Sequence, residues 1–390
     1  AAAPPMVSVT FGTGDGACKI GGETVLFRHE EKFYSPTVVA ITLPDDLDDA
    51  AMKARADTIR GFAFERIGQA MPVEAIAVMN ASGDAARFAA AAETAKTAGK
   101  AVILVTDNPD AAAAAVKKVK DAKPLLAAAT AETADAMAKV ACEAECPLAA
   151  RAADPEALAD LAEKLKAAGC EQIVLWLDAP DGWAEVTGMT TIRNLALKSA
   201  FRPLGFPTLA FATDGEPEDQ VGRASALLCK YAGIVVVETV EPWALLPLLT
   251  SRQNIYTDPQ KPVQVKPDLY AVGEAGDDSP VLFTTNFSLT YYTVEGDVEA
   301  SRVPAWILCV DTEGTSVLTA YSGDKLNEKT VAKALEDADV ESKVKHRKLI
   351  IPGYVAVMSG KLEEATGWEI LVGPRESNVI PRYLKEVWTS

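Results

Sequence analysis

Residues 281–287 read VLFTTNF, and similar apolar runs follow at 303–310 (VPAWILCV), 348–354 (KLIIPGY) and 368–374 (WEILVGP). Each run has the length of a buried strand, ends in small or polar residues and is followed by a helical pattern. This alternation predicts a doubly wound α/β domain of the Rossmann-like kind over residues 281–390. In such a parallel sheet the carboxyl ends of the strands lie at one edge, where ligands bind.

The residues at these strand ends are mainly hydroxyls, amides and glycines, with almost no charge. They predict a site for a large flat ligand that carries many amide groups. At Gly314–Val317 a helix start offers free N–H groups to amide oxygens or a phosphate. A flavin or nucleotide is the alternative ligand, although the turns carry no Gly-x-Gly-x-x-Gly fingerprint. The predicted cofactor-binding residues are Thr284, Asn286, Thr290, Gly314, Thr315, Ser316, Val317, Pro352, Gly353, Tyr354, Asn378, Val379 and Ile380.

Upstream, strand-like runs alternate with Ala-, Glu- and Lys-rich helical patterns. The runs lie at 37–43, 75–79, 101–106, 124–129, 147–151, 172–178, 207–212 and 233–239. Eight strand–helix repeats predict a TIM (β/α)8 barrel over residues 36–252. At the carboxyl ends of its strands, Asn80, Asp107 and Asp178 could hold a pterin ring, although such residues also favour these turns on local grounds.

Two further segments flank the barrel. Residues 1–35 contain a glycine-rich stretch that does not match a phosphate-binding loop, because Cys18 precedes Lys19 and Ile20 follows it. We predict β-hairpins there that cover one barrel mouth. Residues 253–280 are rich in proline and turn residues, and this composition predicts a linker.

The composition excludes several classes of partner. The chain has 390 residues and a net charge of −17, which argues against nucleic acid or an anionic membrane as partner. It has no apolar run of the roughly 18 residues that span a bilayer. The start has no basic segment followed by an apolar one, so we expect a cytoplasmic protein.

The cysteines and histidines limit the metal chemistry that the chain can support. The cysteines lie at 18, 142, 146, 170, 229 and 309, with no pattern of a disulfide framework. Cys142 and Cys146 would share a helix face, but no second ligand pair completes a metal site. With only His29 and His346 present, a Ser-His-Asp or Cys-His site is improbable, and neither histidine lies in an Asp-x-His-x-x-Gly turn.

Several of these motifs resemble one family. The segments TTNFSLTYYTVEGD (284–297), VDTEGTSVLTAYSGDKL (310–326) and LIIPGYVAVMSGKLEEATGWEILVGPRESNVIPRYLK (349–385) are similar to the corrinoid domain of the corrinoid iron–sulfur protein large subunit, of the acetyl-CoA pathway. The preceding residues resemble the barrel of that subunit. The family also has an N-terminal domain whose four cysteines bind a four-iron four-sulfur cluster. No such run is present here, and AAAPP at residues 1–5 resembles the linker that would follow that domain.

The resemblance implies a methyl carrier rather than a complete enzyme. A corrinoid on residues 281–390 would accept, as Co(I), a methyl group from methyltetrahydrofolate through a methyltransferase and donate it to the acetyl-CoA synthase metal cluster. A smaller barrel subunit would complete a heterodimer. No protein side chain is expected to bind the cobalt. The cluster is expected only in the N-terminal domain that this chain lacks.

Two other functions remain open. One is a pterin-dependent methyltransferase whose active site is the barrel and whose C-terminal domain is accessory. The other is an interaction module without a cofactor.

Overall fold

The computed structural model describes residues 6–388, in two compact units that divide between Thr257 and Asp258. Each unit has its own buried apolar core. The expectation about AAAPP at residues 1–5 lies outside the described residues.

The first unit contains a closed barrel of eight parallel strands, as the sequence predicts. Its elements are β1 (Ser8–Phe11), β2 (Cys18–Gly21), β3 (Val38–Pro44), α1 (Asp49–Gly61), β4 (Ala63–Arg66), β5 (Gln69–Pro72), β6 (Ala75–Met79), α2 (Ala85–Thr97), β7 (Ala101–Val105), α3 (Pro109–Val119), β8 (Leu125–Ala129), α4 (Ala134–Ala144), β9 (Leu148–Ala152), α5 (Pro155–Ala167), β10 (Ile173–Leu177), α6 (Gly182–Lys198), β11 (Thr208–Ala212), α7 (Pro217–Cys229), β12 (Ile234–Val237) and α8 (Pro242–Tyr256). The barrel consists of β3 and β6 to β12, and it closes where Ile234 of β12 pairs with Val38 of β3.

Local signals explain the helix boundaries. At α5, the Asp154 carboxylate accepts the N–H of Ala157 at 2.9 Å, and Pro155 occupies the first turn. The following turn places Gly169 at φ +97°, a conformation that favours glycine. The same strand–helix–turn unit recurs around the barrel.

The hairpin β1–β2 packs into the barrel interior. Its residues Val9, Phe11 and Ile20 are fully buried in one cluster with inward-facing residues of the barrel strands. Its backbone bonds Lys123 and Gly205, which precede β8 and β11. The hairpin therefore covers the end of the barrel at which the strands begin, opposite the face that carries active sites in this fold.

The hairpins differ from the prediction. Residues 22–37 contain no strand, so a single hairpin precedes the barrel. A second hairpin, β4–β5, lies instead between α1 and β6. Its turn residues Ile67 and Gly68 both have positive φ, as a tight hairpin turn requires. Isoleucine rarely adopts that conformation, so the sequence lacks the usual Asn-Gly or Asp-Gly signal.

The second unit is a five-stranded sheet with helices on both faces. Its elements are β13 (Asp268–Val272), β14 (Val281–Thr285), α9 (Ser288–Ser301), β15 (Ala305–Val310), α10 (Val317–Ser322), α11 (Glu328–Asp337), β16 (Lys348–Ile351), α12 (Ser359–Thr366), β17 (Glu369–Val372) and α13 (Ile380–Val387). The strand order is β13-β15-β14-β16-β17, with β13 antiparallel and the other four strands parallel. Helices α9 and α13 contribute to the core on one face, and α10, α11 and α12 contribute to the core on the other.

The predicted linker, residues 253–280, is partly regular structure. Residues 253–256 complete α8, and 268–272 form the edge strand β13. Strand β13 is largely solvent-accessible, and its surroundings in sequence are rich in proline and glycine, which is why the pattern predicts a loop. The helical pattern that follows β16 starts as the 3-10 helix Gly353–Met358 and continues as α12. Among residues 6–388, no helix has the length and apolar character to cross a bilayer.

Candidate functional site

An open cavity of about 420 Å³ lies at the carboxyl ends of β14, β16 and β17. Of the sequence-predicted residues, seven line it: Thr284, Thr290, Ser316, Val317, Pro352, Tyr354 and Ile380. Most of the other lining residues are apolar, and the charged ones are Arg375 and Glu376. The cavity therefore has the mainly apolar lining with a few polar groups that is typical of small-molecule sites.

Thr284 supplies the most informative polar group in this cavity. Its side chain is 1% exposed, and its Oγ1 atom has no hydrogen-bond partner among the described residues. Buried hydroxyls are normally hydrogen-bonded, because an unpartnered one carries the full cost of desolvation. A ligand group in the cavity would remove this cost by bonding Oγ1.

Asn286 lies beyond the end of β14 and holds a loop rather than lining the cavity. Its Oδ1 accepts hydrogen bonds from the Thr312 N–H, the Thr312 hydroxyl and the Gly314 N–H, each at 3.0 Å. Its Nδ2 donates to Asp311 at 3.0 Å and to Gln264 at 3.3 Å. The side chain is fully buried, so it fixes the course of residues 311–315 from inside.

The prediction that Gly314–Val317 offers free N–H groups is therefore wrong for its first two residues. The Gly314 N–H is taken by Asn286, and the Thr315 N–H and hydroxyl both donate to the Thr312 carbonyl, at 3.3 Å and 2.7 Å. Gly314 has φ +72°, and a Cβ there would lie 2.7 Å from Cγ of Gln264. The glycine is thus required by the fold of the loop. Only Ser316 and Val317 reach the cavity.

Gly353 has a similar structural role. A Cβ on it would lie 2.5 Å from the carbonyl oxygen of Gly373, and its N–H donates to the Pro374 carbonyl at 2.9 Å. It lets the chain segments that follow β16 and β17 approach each other closely. The adjacent Tyr354 lines the cavity, and its hydroxyl donates to the Glu376 carboxylate, which raises the pKa of Tyr354.

The remaining predicted residues lie beside the cavity. Asn378 and Val379 are exposed on the 3-10 helix Ser377–Val379, between the lining residues Ser377 and Ile380. The rim also carries exposed apolar side chains: Leu289 is 56% exposed, Leu318 48% and Tyr354 42%. Such a cluster is unusual on a free surface and marks a place where a ligand or protein binds.

Sequence reasoning missed part of the lining. Leu289, Thr293 and Val294 come from the first turns of α9, and Arg375 and Glu376 follow β17. The apolar spacing of α9 resembles that of a core helix, so it does not distinguish a residue at the cavity from one in the core. The charged pair Arg375-Glu376 directly after the Gly373-Pro374 turn is the signal that could have identified that side.

Neither histidine lines this cavity. His346 precedes β16, so it lies at the opposite, amino end of the sheet. Its Nε2 bonds the Ser279 carbonyl at 2.8 Å and its Nδ1 accepts the Lys348 N–H at 3.2 Å. His29 belongs to the first unit and stacks on Phe27. Over residues 6–388, no group of three or more His, Cys, Asp or Glu side chains could hold a metal ion.

The barrel mouth contains side chains that are engaged with one another. Arg151 donates to Asp178 at 2.9 and 2.7 Å and lies 4.6 Å above the Trp176 ring, which stacks on Phe211. Asn80 donates to Thr106 at 3.0 Å, while Asn80 Oδ1 has no partner among the described residues. Of the predicted pterin residues Asn80, Asp107 and Asp178, the first therefore bonds Thr106 and the last is paired with Arg151.

The predicted cysteine pair also differs from expectation. Helix α4 ends at Ala144, so Cys146 lies beyond it and does not share a helix face with Cys142. Cys142 instead contacts Cys170, with the two Sγ atoms 3.5 Å apart.

Comparisons with known proteins agree with the resemblance in the sequence. The family model described as CO dehydrogenase/acetyl-CoA synthase delta subunit matches residues 8–384. The corrinoid/iron–sulfur protein large subunit of Moorella thermoacetica is 44% identical over 386 residues, covering 99% of this chain and 86% of that protein. The acetyl-CoA decarbonylase/synthase complex subunits gamma of Methanopyrus kandleri and Methanothermobacter thermautotrophicus are 37% and 38% identical, over 98% and 99% of this chain and 86% and 87% of their own lengths.

Proposed function

We propose that this chain is a corrinoid-dependent methyl carrier. It belongs to the family of the corrinoid/iron–sulfur protein large subunit and the acetyl-CoA decarbonylase/synthase gamma subunit. It would accept a methyl group from methyltetrahydrofolate through a separate methyltransferase and donate it to the acetyl-CoA synthase metal cluster. The bound corrinoid supplies the reduced cobalt that carries the methyl group. The protein supplies binding, orientation and shielding.

The cavity of the second unit fits such a ligand. The partnerless, buried Thr284 hydroxyl belongs to a residue that lines this apolar cavity, and a side-chain amide of the corrin ring that reached it could bond it. Thr290 and Ser316 add two further hydroxyl-bearing residues to the lining. This neutral, amide-compatible lining is the observation that carries the proposal. A nucleotide triphosphate would instead call for several cationic groups, and Arg375 is the one cation among the described lining residues.

The lining also bears on the cobalt's axial ligand. Among the described residues, no imidazole, thiol or thioether side chain lines the cavity. Axial ligands set the reduction potential of a metal in a macrocycle, and removing a donating one favours a reduced state of low coordination. We propose that the protein leaves the lower face of the corrin without a side-chain ligand.

The partners follow from the openness of the site. A corrin bound in a cavity of about 420 Å³ would be covered in part and would leave the rest of the ring accessible. Exposed apolar residues on the rim, including Leu289 and Leu318, support a protein partner that covers the remainder. We propose the smaller barrel subunit as that partner, with the methyltransferase and acetyl-CoA synthase binding transiently. An iron–sulfur cluster, as named in the Moorella relative, is assigned to no site within residues 6–388.

Anaerobic loading of the purified chain with a cobamide tests this function. We expect stoichiometric binding and the yellow-orange spectrum of the base-off form. The discriminating arm is a titration with methyltetrahydrofolate in the absence of cobamide. Binding of the pterin together with failure to bind cobamide would contradict the proposal and support a barrel methyltransferase. A fall in cobamide affinity in the Thr284→Val variant would link the function to the cavity.

A further inference from the structure

Two thiols are in contact on the outer surface of the barrel. Cys142 lies on the last turn of α4, and Cys170 lies in the turn between α5 and β10. Their Sγ atoms are 3.5 Å apart. Both residues precede strands, so the pair lies toward the end of the barrel that is opposite the mouth with Arg151 and Asp178. The pair takes no part in the function proposed above.

The surrounding backbone fixes the position of Cys170. Its N–H donates to the Leu165 carbonyl at 3.0 Å, and the preceding Gly169 has φ +97°, so the residue belongs to the turn that terminates α5. The Cys142 sulfur lies on a regular helix and also contacts the Ala168 carbonyl at 3.9 Å. The two thiols are therefore held together by ordered segments rather than by a loose loop.

The two cysteines differ in accessibility. Cys142 is exposed, whereas Cys170 is 6% exposed. Burial and the neighbouring Cys142 thiol raise the pKa of Cys170 to about 12. An external oxidant would consequently meet Cys142 first. Cys170 lies where it can attack the sulfur of Cys142 once that residue has reacted.

Cys146 provides an internal comparison. It occupies the turn after α4 that corresponds to the position of Cys170 after α5, and it is also buried. Its thiol donates to the Ala144 carbonyl at 3.6 Å, within its own turn. Position in the repeat alone does not create a thiol pair, and the contact depends on Cys142.

We propose that Cys142 and Cys170 form an oxidation site that converts to an intrachain disulfide on reaction with small-molecule disulfides. The Cys142 thiolate attacks one sulfur of the reagent, forms a mixed disulfide and releases one thiol. Cys170 then loses its proton and attacks Cys142 Sγ, which forms the protein disulfide and releases the second thiol. The two protein thiols lose two electrons, and the reagent gains them. Closure brings the sulfurs from 3.5 Å to about 2.05 Å.

Oxidised glutathione, applied anaerobically to the full chain, tests this site. After tryptic digestion without reduction, we expect a linked pair of peptides containing Cys142 and Cys170. We also expect an intact mass lower by two hydrogen atoms and reversal by a dithiol reductant. Cys229, which is exposed on α7, should retain a glutathione adduct under the same conditions.

Variants separate the steps. In Cys170→Ala, the glutathione adduct on Cys142 should persist because the resolving thiol is absent. Cys142→Ser should leave Cys170 unmodified, and Cys146→Ala should form the linked peptides as the parent does. If a variant fails to fold, the products formed by the parent protein still test the proposal. A stable adduct on Cys142 of the parent, with no peptide linking it to Cys170, would overturn the proposal.

Discussion

At the scale of single residues, the Thr284 hydroxyl offers a test that separates ligand binding from folding. Replacement by valine keeps the side-chain shape and removes a buried Oγ1 atom that has no partner in the described structure. We expect cobamide affinity to fall by about 2- to 13-fold, the equivalent of one hydrogen bond worth about 0.5–1.5 kcal/mol. Thermal stability should not fall, since no internal hydrogen bond is lost. Titration and a thermal scan of the same variant measure both.

Thr285→Val is the matched control. This residue is also fully buried with a partnerless Oγ1, but it is the next residue of β14 and does not line the cavity. Its substitution should leave cobamide affinity unchanged. An equal loss of affinity in both variants would show that the effect arises from the strand and not from a contact with the ligand.

The histidines test the absence of a protein ligand to cobalt. His346 bonds Ser279 and Lys348 at the end of the sheet away from the cavity. His346→Ala should cost about 1 kcal/mol of stability through these lost bonds. It should not change the visible spectrum of the cobamide-loaded protein, and neither should His29→Ala. A spectral change typical of altered axial coordination in either variant would contradict the proposal.

Residue types at the strand ends predict much of the cavity but not its complete lining. Thr284, Ser316 and Tyr354 could be identified because polar residues directly after parallel strands must lie at one edge. Leu289 and Leu318 could not, because an apolar residue on a helix has the same pattern whether it faces the core or a ligand. The pattern predicts ligand contacts for Asn286 and Gly314, although the Gly314 N–H donates to the Asn286 side chain. A local sequence pattern cannot show whether a polar group forms its hydrogen bonds within the protein or with a ligand.

At the scale of elements, the loop between β15 and α10 depends on Asn286. Asn286→Ala would remove the acceptor of two N–H groups that belong to buried residues, Thr312 and Gly314, while the Thr312 hydroxyl would keep its bond to the Thr315 carbonyl. Each unsatisfied buried donor costs about 1–3 kcal/mol, so we expect a loss of about 2–4 kcal/mol in the unfolding free energy of the second unit, allowing for partial relaxation. Denaturant unfolding followed by tryptophan fluorescence would measure it.

Asn378→Ala is the control for this loop, because Asn378 is exposed beside the cavity. It should change stability by less than about 0.5 kcal/mol. Equal stability of the Asn286 and Asn378 variants would mean that the loop finds other hydrogen-bond partners and that the Asn286 side chain is not required.

Strands with a clear hydrophobic pattern could be predicted from the sequence, whereas the edge strand of the second unit could not. The barrel strands are mainly buried runs, and most are followed by a helix with a side-chain N-cap, so their order follows from the sequence. Strand β13 has one buried residue among five and pairs on one side only, with β15. Its stability comes from this tertiary pairing and not from its own pattern.

At the scale of the whole molecule, the separate cores of the two units predict that the stability of the barrel does not affect ligand binding by the second unit. Arg252 is 7% exposed and bonds both Glu74 oxygens, at 2.6 and 2.7 Å, as well as the Pro72 carbonyl. Arg252→Met would leave Glu74 without its cation inside the first unit. We expect the barrel to lose about 3–5 kcal/mol of unfolding free energy. Cobamide affinity should stay within a factor of about two, because no core residue of one unit belongs to the core of the other.

Arg60→Met is the comparison for that prediction. Its partner Asp57 is on the same helix, and both side chains are about half exposed. Its loss should cost less than about 1 kcal/mol. A large loss of cobamide affinity in the Arg252 variant would show that the second unit depends on the barrel for its ligand site.

We expect the proposed association with a second barrel subunit to depend on the rim of the cavity. Leu318 is 48% exposed and lines the cavity, so a partner that covers the corrin would bury it. Leu318→Glu places a charge in that contact, where an unpaired buried carboxylate is strongly unfavourable. We expect heterodimer affinity to fall by at least about tenfold, which corresponds to about 1.4 kcal/mol.

Val387→Glu, at the far end of α13 and 47% exposed, is the control and should leave affinity unchanged. Light scattering and a binding titration against the partner measure this. If the loaded chain is monomeric and keeps its Co(I) without any partner, a covering subunit is not needed, and the apolar rim must have another role.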